Sequence, residues 1–244
     1  MKCCNAYENN SMSEMMGETL RPGGFSLTEK GVEFCKFSVE DAVLDLGCGR
    51  GATIGYLFEK HQIKAVGIDP SEKLLSIAKT KYPFADFIQG IGEHIPFAGE
   101  CFQGVFAECT LSLMDDVNRV VKEVFRVLKK GGWFVATDVY ARNPGFIKEL
   151  EKFSFNSCMR GLHDLNLLRD NLKSLGFEIM ILEDCSDLLK ELLVKIVFSH
   201  GSMGGFWNKT TDGCVDGYRF QEILKVCKPG YFMMIARKGE TNHE

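Results

Sequence analysis

The chain has 244 residues, 45% of them hydrophobic and 25% charged, enough to bury a substantial core as one domain. A formal net charge of −4 supplies no whole-protein attraction for a nucleic-acid backbone, and no run approaches the roughly 18 apolar residues of a membrane helix. The first ten residues lack a signal peptide's apolar core, and ten cysteines without a Cys-x-x-Cys pair read as reduced thiols, so the expectation is a cytoplasmic protein with neither nucleic acid nor membrane as partner.

Taken in chain order, Gly17-Glu-Thr-Leu-Arg-Pro-Gly-Gly24 suits a turn before a helix starting near Ser26, and residues 1–37 read as an N-terminal lid and helix. Ala42 to Leu46 is a short apolar run broken by one carboxylate, Asp45, the pattern of a central parallel strand covered on both faces. Gly47, Gly49 and Gly51 follow at alternate positions and let the backbone turn and approach a ligand. Ile54, Leu57, Phe58 and His61 then lie at helix spacing, so the loop ends at a helix N-terminus whose free N–H groups favour an anionic group.

Strand and helix alternate from there, which predicts one doubly wound α/β sheet. Lys64 to Asp69 is a second strand, Ser71 caps a helix burying Leu74, Leu75 and Ala78, and Phe84 to Gln89 is a third strand. Phe102 to Glu108 is strand four. Val117, Val120, Val121, Val124, Phe125 and Leu128 form one helical stripe, capped by Asp115 or Asp116 and ended by Lys129-Lys-Gly-Gly132. Trp133 to Val139 is strand five, a helix carries Leu165, Leu168, Leu172 and Leu175, and Phe177 to Leu182 and Tyr231 to Ala236 are strands six and seven.

Two segments exceed ordinary loops. Residues 142–162 carry Phe146, Phe153, Phe155, Cys158 and Met159, and residues 184–229 contain an amphipathic helix through Leu188, Leu192 and Ile196 and then a Gly201-Ser-Met-Gly-Gly-Phe-Trp207 loop. Both read as substrate or cap insertions on a cofactor-binding half spanning 38–141, and the apolar excess of the helical insertion is consistent with a homodimer.

The motif Val43-Leu-Asp-Leu-Gly-Cys-Gly-Arg-Gly51 with Val66-Gly-Ile-Asp-Pro-Ser71, followed by Glu93-His-Ile-Pro-Phe97 and Val127-Leu-Lys-Lys-Gly-Gly132, resembles a class I S-adenosylmethionine-dependent methyltransferase of the small-molecule type. The resemblance implies a Rossmann-like sheet of seven mostly parallel strands with strand seven antiparallel. It also implies S-adenosylmethionine as cofactor and a small-molecule methyl acceptor. The cofactor set it implies is Arg21, Asp45, Gly47, Cys48, Gly49, Asp69, Pro70, Ile91, Gly92, Glu93 and Glu108. Within it, Asp45 would attract the methionine ammonium, Asp69 the ribose hydroxyls and Arg21 the methionine carboxylate. Family members commonly carry an acidic residue where this chain has Ile91, which leaves backbone groups of Ile91 and Gly92 for the adenine edge.

The glycine loop also satisfies the dinucleotide form G-x-G-x-x-A through Gly47, Gly49 and Ala52, so an NAD-type oxidoreductase is an alternative, as is a cofactor-binding module without catalysis. In this architecture the acceptor sits beyond strands four and five, which nominates Glu108 and Tyr140 as catalytic proton acceptors. Ser157-Cys-Met-Arg-Gly161 resembles the cysteine-bearing segment of arsenite methyltransferases. That adds Cys158, together with Cys109 and Cys185, as a soft-metal acceptor alternative; no resident metal site is expected.

Overall fold

The computed structural model describes Cys4, Asn5, Thr19 and residues 21–239. Seven strands form one sheet: β1 (Val43–Leu46), β2 (Ala65–Asp69), β3 (Phe87–Gln89), β4 (Phe102–Glu108), β5 (Leu128–Ala141), β6 (Phe177–Asp184) and β7 (Pro229–Lys238). Their spatial order is β3-β2-β1-β4-β5-β7-β6. The pairs from β3 through to β5 are parallel, whereas β7 enters antiparallel between β5 and β6, as expected for strand seven. All four residues of β1 are buried, including Asp45, which accounts for the continuous apolar run around it.

Helices cover both faces. Helices α1 (Ser26–Cys35), α2 (Ala52–His61) and α3 (Glu72–Lys81) pack on one face, and α4 (Val117–Val127) and α5 (Leu165–Ser174) on the other. Ser71 caps α3 by accepting from Leu74 N, and Asp116, rather than Asp115, caps α4 by accepting from Arg119 N.

Three boundaries differ from the sequence reading. Strand three begins at Phe87, because Phe84 follows Pro83 in a turn and stacks on Phe58 with ring centroids 4.2 Å apart. Leu128 leaves the helical stripe and opens β5: it pairs with Phe102, and four intervening residues are looped before Trp133 pairs with Gly104. The glycine-rich stretch expected as a loop is helical.

That stretch belongs to the insertion between β6 and β7, which folds as α6 (Ser186–His200), α7 (Met203–Thr210) and α8 (Gly217–Cys227). Ser202 caps α7 by accepting from Gly205 N. A Cβ on Gly204 would lie 2.4 Å from the Tyr218 ring, and one on Gly217 would lie 2.5 Å from the Gly204 carbonyl oxygen. The glycines are there to let α7 and α8 approach. The cap they build is aromatic: Phe155, Phe206, Trp207 and Phe220 are buried against one another, with Trp207 Nε1 donating to Gln221.

Candidate active site

The glycine loop leaves β1 at the centre of the sheet. Gly47 N and Cys48 N both donate to the Ile68 carbonyl, at 2.8 and 3.0 Å, which ties the loop to the end of β2. Gly47 has φ +75°, and a Cβ there would fall 1.9 Å from Thr110 Oγ1, so only glycine fits. Gly49 also has positive φ, +52°, but a Cβ on it meets nothing within 4 Å, because it borders open space. That space is a cavity of about 730 Å³, within the size range of small-molecule sites.

Asp45 stands at its floor. The carboxylate is buried, its Oδ2 has no hydrogen-bond partner, and its pKa rises from 3.8 to about 8. Burial is the main cause; the Glu108 charge adds to it, Arg21 opposes it, and Asp69 contributes further in the same direction. An unpartnered buried carboxyl is costly, and a ligand cation is what would compensate it.

Asp69 closes β2. Its Oδ2 accepts from Gly49 N at 2.9 Å and its Oδ1 from Ser71 N at 2.8 Å, so it orients the glycine loop while Ser71 itself caps α3. Pro70, Ile91, Gly92 and Glu93 line the same cavity. Glu93 Oε1 also accepts from the backbone of Asp115 and Asp116, which fixes the turn before α4. Cys48 lines the wall beside Asp45 with its thiol pushed up by burial and by the neighbouring carboxylates, so it is a packing group rather than a nucleophile.

Glu108 and Arg21 are committed to each other. Arg21 Nη2 lies 3.0 Å from Glu108 Oε2, and Thr28 and Thr53 each donate a hydroxyl to a Glu108 oxygen at 2.8 and 2.9 Å. Arg21 also donates to the Gly24 carbonyl, to Thr53 Oγ1 and to Thr28 Oγ1. With four of its five N–H donors engaged, Arg21 keeps one Nη1 hydrogen for the cavity. One expectation changes as a result. Glu108 is a buried anchor holding the segment before α1 against β4 and α2, not a free proton acceptor, and the same contacts hold Arg21 beside the cavity.

Tyr140 is also placed differently from expectation. It lies outside the cavity lining, edge-on to Phe232, and its hydroxyl accepts from Arg142 Nε at 3.3 Å. On β5 it packs with the α4 and α5 face of the sheet, so strand alternation carries it away from the site. Cys158 does not line the cavity either, but its thiol is hydrogen-bonded to that of Cys109, which does. That contact, with burial, pushes the Cys109 thiol well above its ordinary value, which disfavours the thiolate a soft centre needs. Cys185 instead sits at the start of α6 beside Glu183 and Lys30, so the three thiols do not converge, and among the described residues no group of three metal-ligating side chains assembles.

Several lining or anchoring residues had no counterpart in the sequence reading, four of them polar or charged side chains that bear on the site. Thr28 and Thr53 are ordinary helix residues until Glu108 meets them. Arg50, inside the glycine loop, and Arg160, in the Cys158–Arg160 turn, both line the cavity with a buried Nε that has no acceptor. The one available signal was Arg50 as a lone charge among glycines.

A family model described as a methyltransferase domain matches residues 44–136, the stretch from β1 through most of β5. Phosphoethanolamine N-methyltransferase 1 of Zea mays is 30% identical over 179 residues, covering 71% of this chain and 35% of that protein. Demethylmenaquinone methyltransferase of Chlorobaculum parvum is 34% identical over 121 residues, covering 49% of this chain and 50% of its own. Residues 44–136 are a methyltransferase domain.

Solved structures agree on the fold. Phosphoethanolamine N-methyltransferase 2 of Haemonchus contortus, in complex with S-adenosyl-L-methionine, has a TM-score of 0.75 at 17% identity, covering 94% of this chain and 56% of that one. The cyclase SpnF has a TM-score of 0.74 at 20% identity, covering 97% and 94%. At such identities the likeness speaks to the fold alone. The chain spans about a third to a half of the length of the curated relatives it matches. S-adenosylmethionine is bound in the Haemonchus contortus structure and is the cofactor that the sequence resemblance implies for this chain. The residues present fit the cofactor through an orphan: Asp45 Oδ2, unpartnered beside the glycine loop, is where an α-ammonium would be neutralised.

Proposed function

We propose that this methyltransferase transfers a methyl group from S-adenosylmethionine to a small-molecule acceptor. The Asp45 carboxyl near the end of β1 carries this reading, because among the described residues no donor meets its buried Oδ2. In it, Asp45 holds the ammonium, and the N–H groups of the Gly47 to Gly49 loop with the spare Arg21 donor face the carboxylate. Asp69 faces the ribose hydroxyls, and Pro70, Ile91, Gly92 and Glu93 border the adenine. The cofactor brings an activated methyl group on its sulfonium. The chain's own contribution is to hold donor and acceptor close and in line and to exclude water, so no dedicated base is required of Glu108 or Tyr140. The same reading keeps one domain, with residues 142–162 and 184–229 as substrate or cap insertions; Asn156 and Arg160 of the first segment line the cavity.

A cyclase sharing the fold shows why transfer must be measured, since architecture does not dictate reaction. Calorimetry with S-adenosylhomocysteine tests the cofactor site, and labelled-methyl transfer from S-adenosylmethionine into a small-molecule extract tests the reaction. Binding without transfer to any acceptor would mark a non-catalytic module. No helix among the described residues is long and apolar enough to cross a membrane. We propose a cytoplasmic location, and self-association through α6, where Val194, Val197 and Phe198 are exposed. Sedimentation of wild type against Phe198→Glu checks the second point.

A further inference from the structure

The acceptor end of the cavity is walled by the chain that leaves β5. The Cys158–Arg160 turn follows the bridging residues Phe155–Asn156, and a Cβ on Gly161 would fall 1.9 Å from the Ser112 carbonyl oxygen, so the turn is pressed onto the segment after β4. This places Arg160 past the exits of β4 and β5, on the far side of the sheet's centre from β2 and β3, where Asp69 and Ile91 lie. Arg160 lines the cavity, its Nε is buried without an acceptor, and among the described residues no carboxylate pairs with its guanidinium.

The other charges facing the cavity are accounted for differently. Arg21 is neutralised by Glu108, Asp69 and Glu93 accept backbone N–H groups, Asp45 lacks a cation rather than an anion, and Asp115 is an exposed carboxylate at the turn held by Glu93. Arg50 is likewise unpaired, but it lies in the glycine loop on the cofactor side. A guanidinium has a planar fork suited to carboxylate or phosphate, and a buried donor left without an acceptor is costly. A neutral acceptor would leave that cost in place.

We propose that Arg160 is the recognition residue for an anionic group on the methyl acceptor, so that the substrate class is a small phosphomonoester or carboxylate rather than a neutral molecule. This rests on the methyltransferase reading above, with the cofactor filling the β1 to β3 side. The reacting atom would then lie between that anionic group and the glycine loop, near the Cys109 wall.

The test uses the full chain, with and without saturating S-adenosylhomocysteine, titrated calorimetrically with inorganic phosphate, phosphoethanolamine, acetate and neutral ethanolamine. Expected are binding of phosphate and phosphoethanolamine, or of acetate, with none for ethanolamine; which anion binds more tightly separates phosphate from carboxylate. Arg160→Gln should weaken the anion at least tenfold while S-adenosylhomocysteine affinity stays within about twofold, and Arg160→Lys, keeping charge without the fork, should fall between. Unchanged anion affinity in Arg160→Gln overturns the proposal, as does preference for ethanolamine. A tenfold loss of S-adenosylhomocysteine affinity in that variant overturns it too, by moving Arg160 to the cofactor. Failure of wild type to bind S-adenosylhomocysteine sinks the methyltransferase reading instead, and the cofactor-free titrations still decide whether Arg160 binds an anion.

Discussion

Replacing Asp45 by Asn should push stability and cofactor affinity in opposite directions. Its carboxyl is raised from 3.8 to about 8, so at neutral pH the folded protein without cofactor holds a proton that the unfolded chain has released. At ~1.4 kcal/mol per tenfold, keeping that proton at pH 7 costs roughly 4 kcal/mol. Asn has nearly the same shape and no charge to suppress, but its buried amide recovers only part of this, since an unsatisfied polar group costs about 1–3 kcal/mol.

Cofactor-free Asp45→Asn should therefore be more stable at pH 7 by about 1–3 kcal/mol, a rise of several degrees in melting temperature for a chain of this size. The sign with pH follows from proton counting. Between about 4 and about 8 the native state binds more protons than the unfolded one, so wild-type stability falls as pH rises through that window and levels off above it, while the variant loses this slope. Binding should move the other way. The ionised carboxylate is the counter-charge for the cofactor ammonium, so S-adenosylhomocysteine affinity in wild type should climb from pH 6 toward 8, and Asp45→Asn should lose at least a hundredfold, as removal of one partner of a buried pair costs about 3–5 kcal/mol. Thermal unfolding across pH and calorimetry give both numbers. A cofactor-free variant no more stable than wild type, or one that binds S-adenosylhomocysteine within threefold of it, would refute the assignment.

Gly47→Ala places a Cβ 1.9 Å from Thr110 Oγ1 at a φ of +75°, and should cost more than ~2 kcal/mol by chemical denaturation; a smaller loss would show that the loop can shift. Glu108→Gln leaves the Arg21 guanidinium buried without its counter-ion, for a loss of roughly 3–5 kcal/mol. Hydrogen exchange should rise first in 21–28, and uniform exchange across the sheet would contradict the anchoring role. Trp207→Ala should remove about 3–5 kcal/mol from the aromatic cap while S-adenosylhomocysteine affinity holds. Loss of that affinity would mean the cap and the cofactor side are not separable.

Much of the cofactor side could be read along the chain because its signals are local. Asp45, the alternating glycines and Asp69 lie within 25 residues, each at a strand end whose burial pattern marks it, and the alternation of strands and helices carries the parallel order with it. Less was legible where glycine served packing. Gly204 lies in a stretch that reads as a loop, yet it is where two helices touch, and that follows only from where Tyr218 lies.

The amino-acid sequence by itself determined the sheet, the direction of its strands and the glycine loop, since these depend on residue type at short spacing. Only the tertiary structure decided what each charge is free to do. Glu108 became an anchor because Arg21, Thr28 and Thr53, up to 87 residues away, converge on it. Tyr140 was turned from the site by the alternation of β5. Among the described residues, Asp45 Oδ2 and Arg160 Nε were left without hydrogen-bond partners at one cavity, and a missing partner is a fact about space that spacing along a chain does not encode.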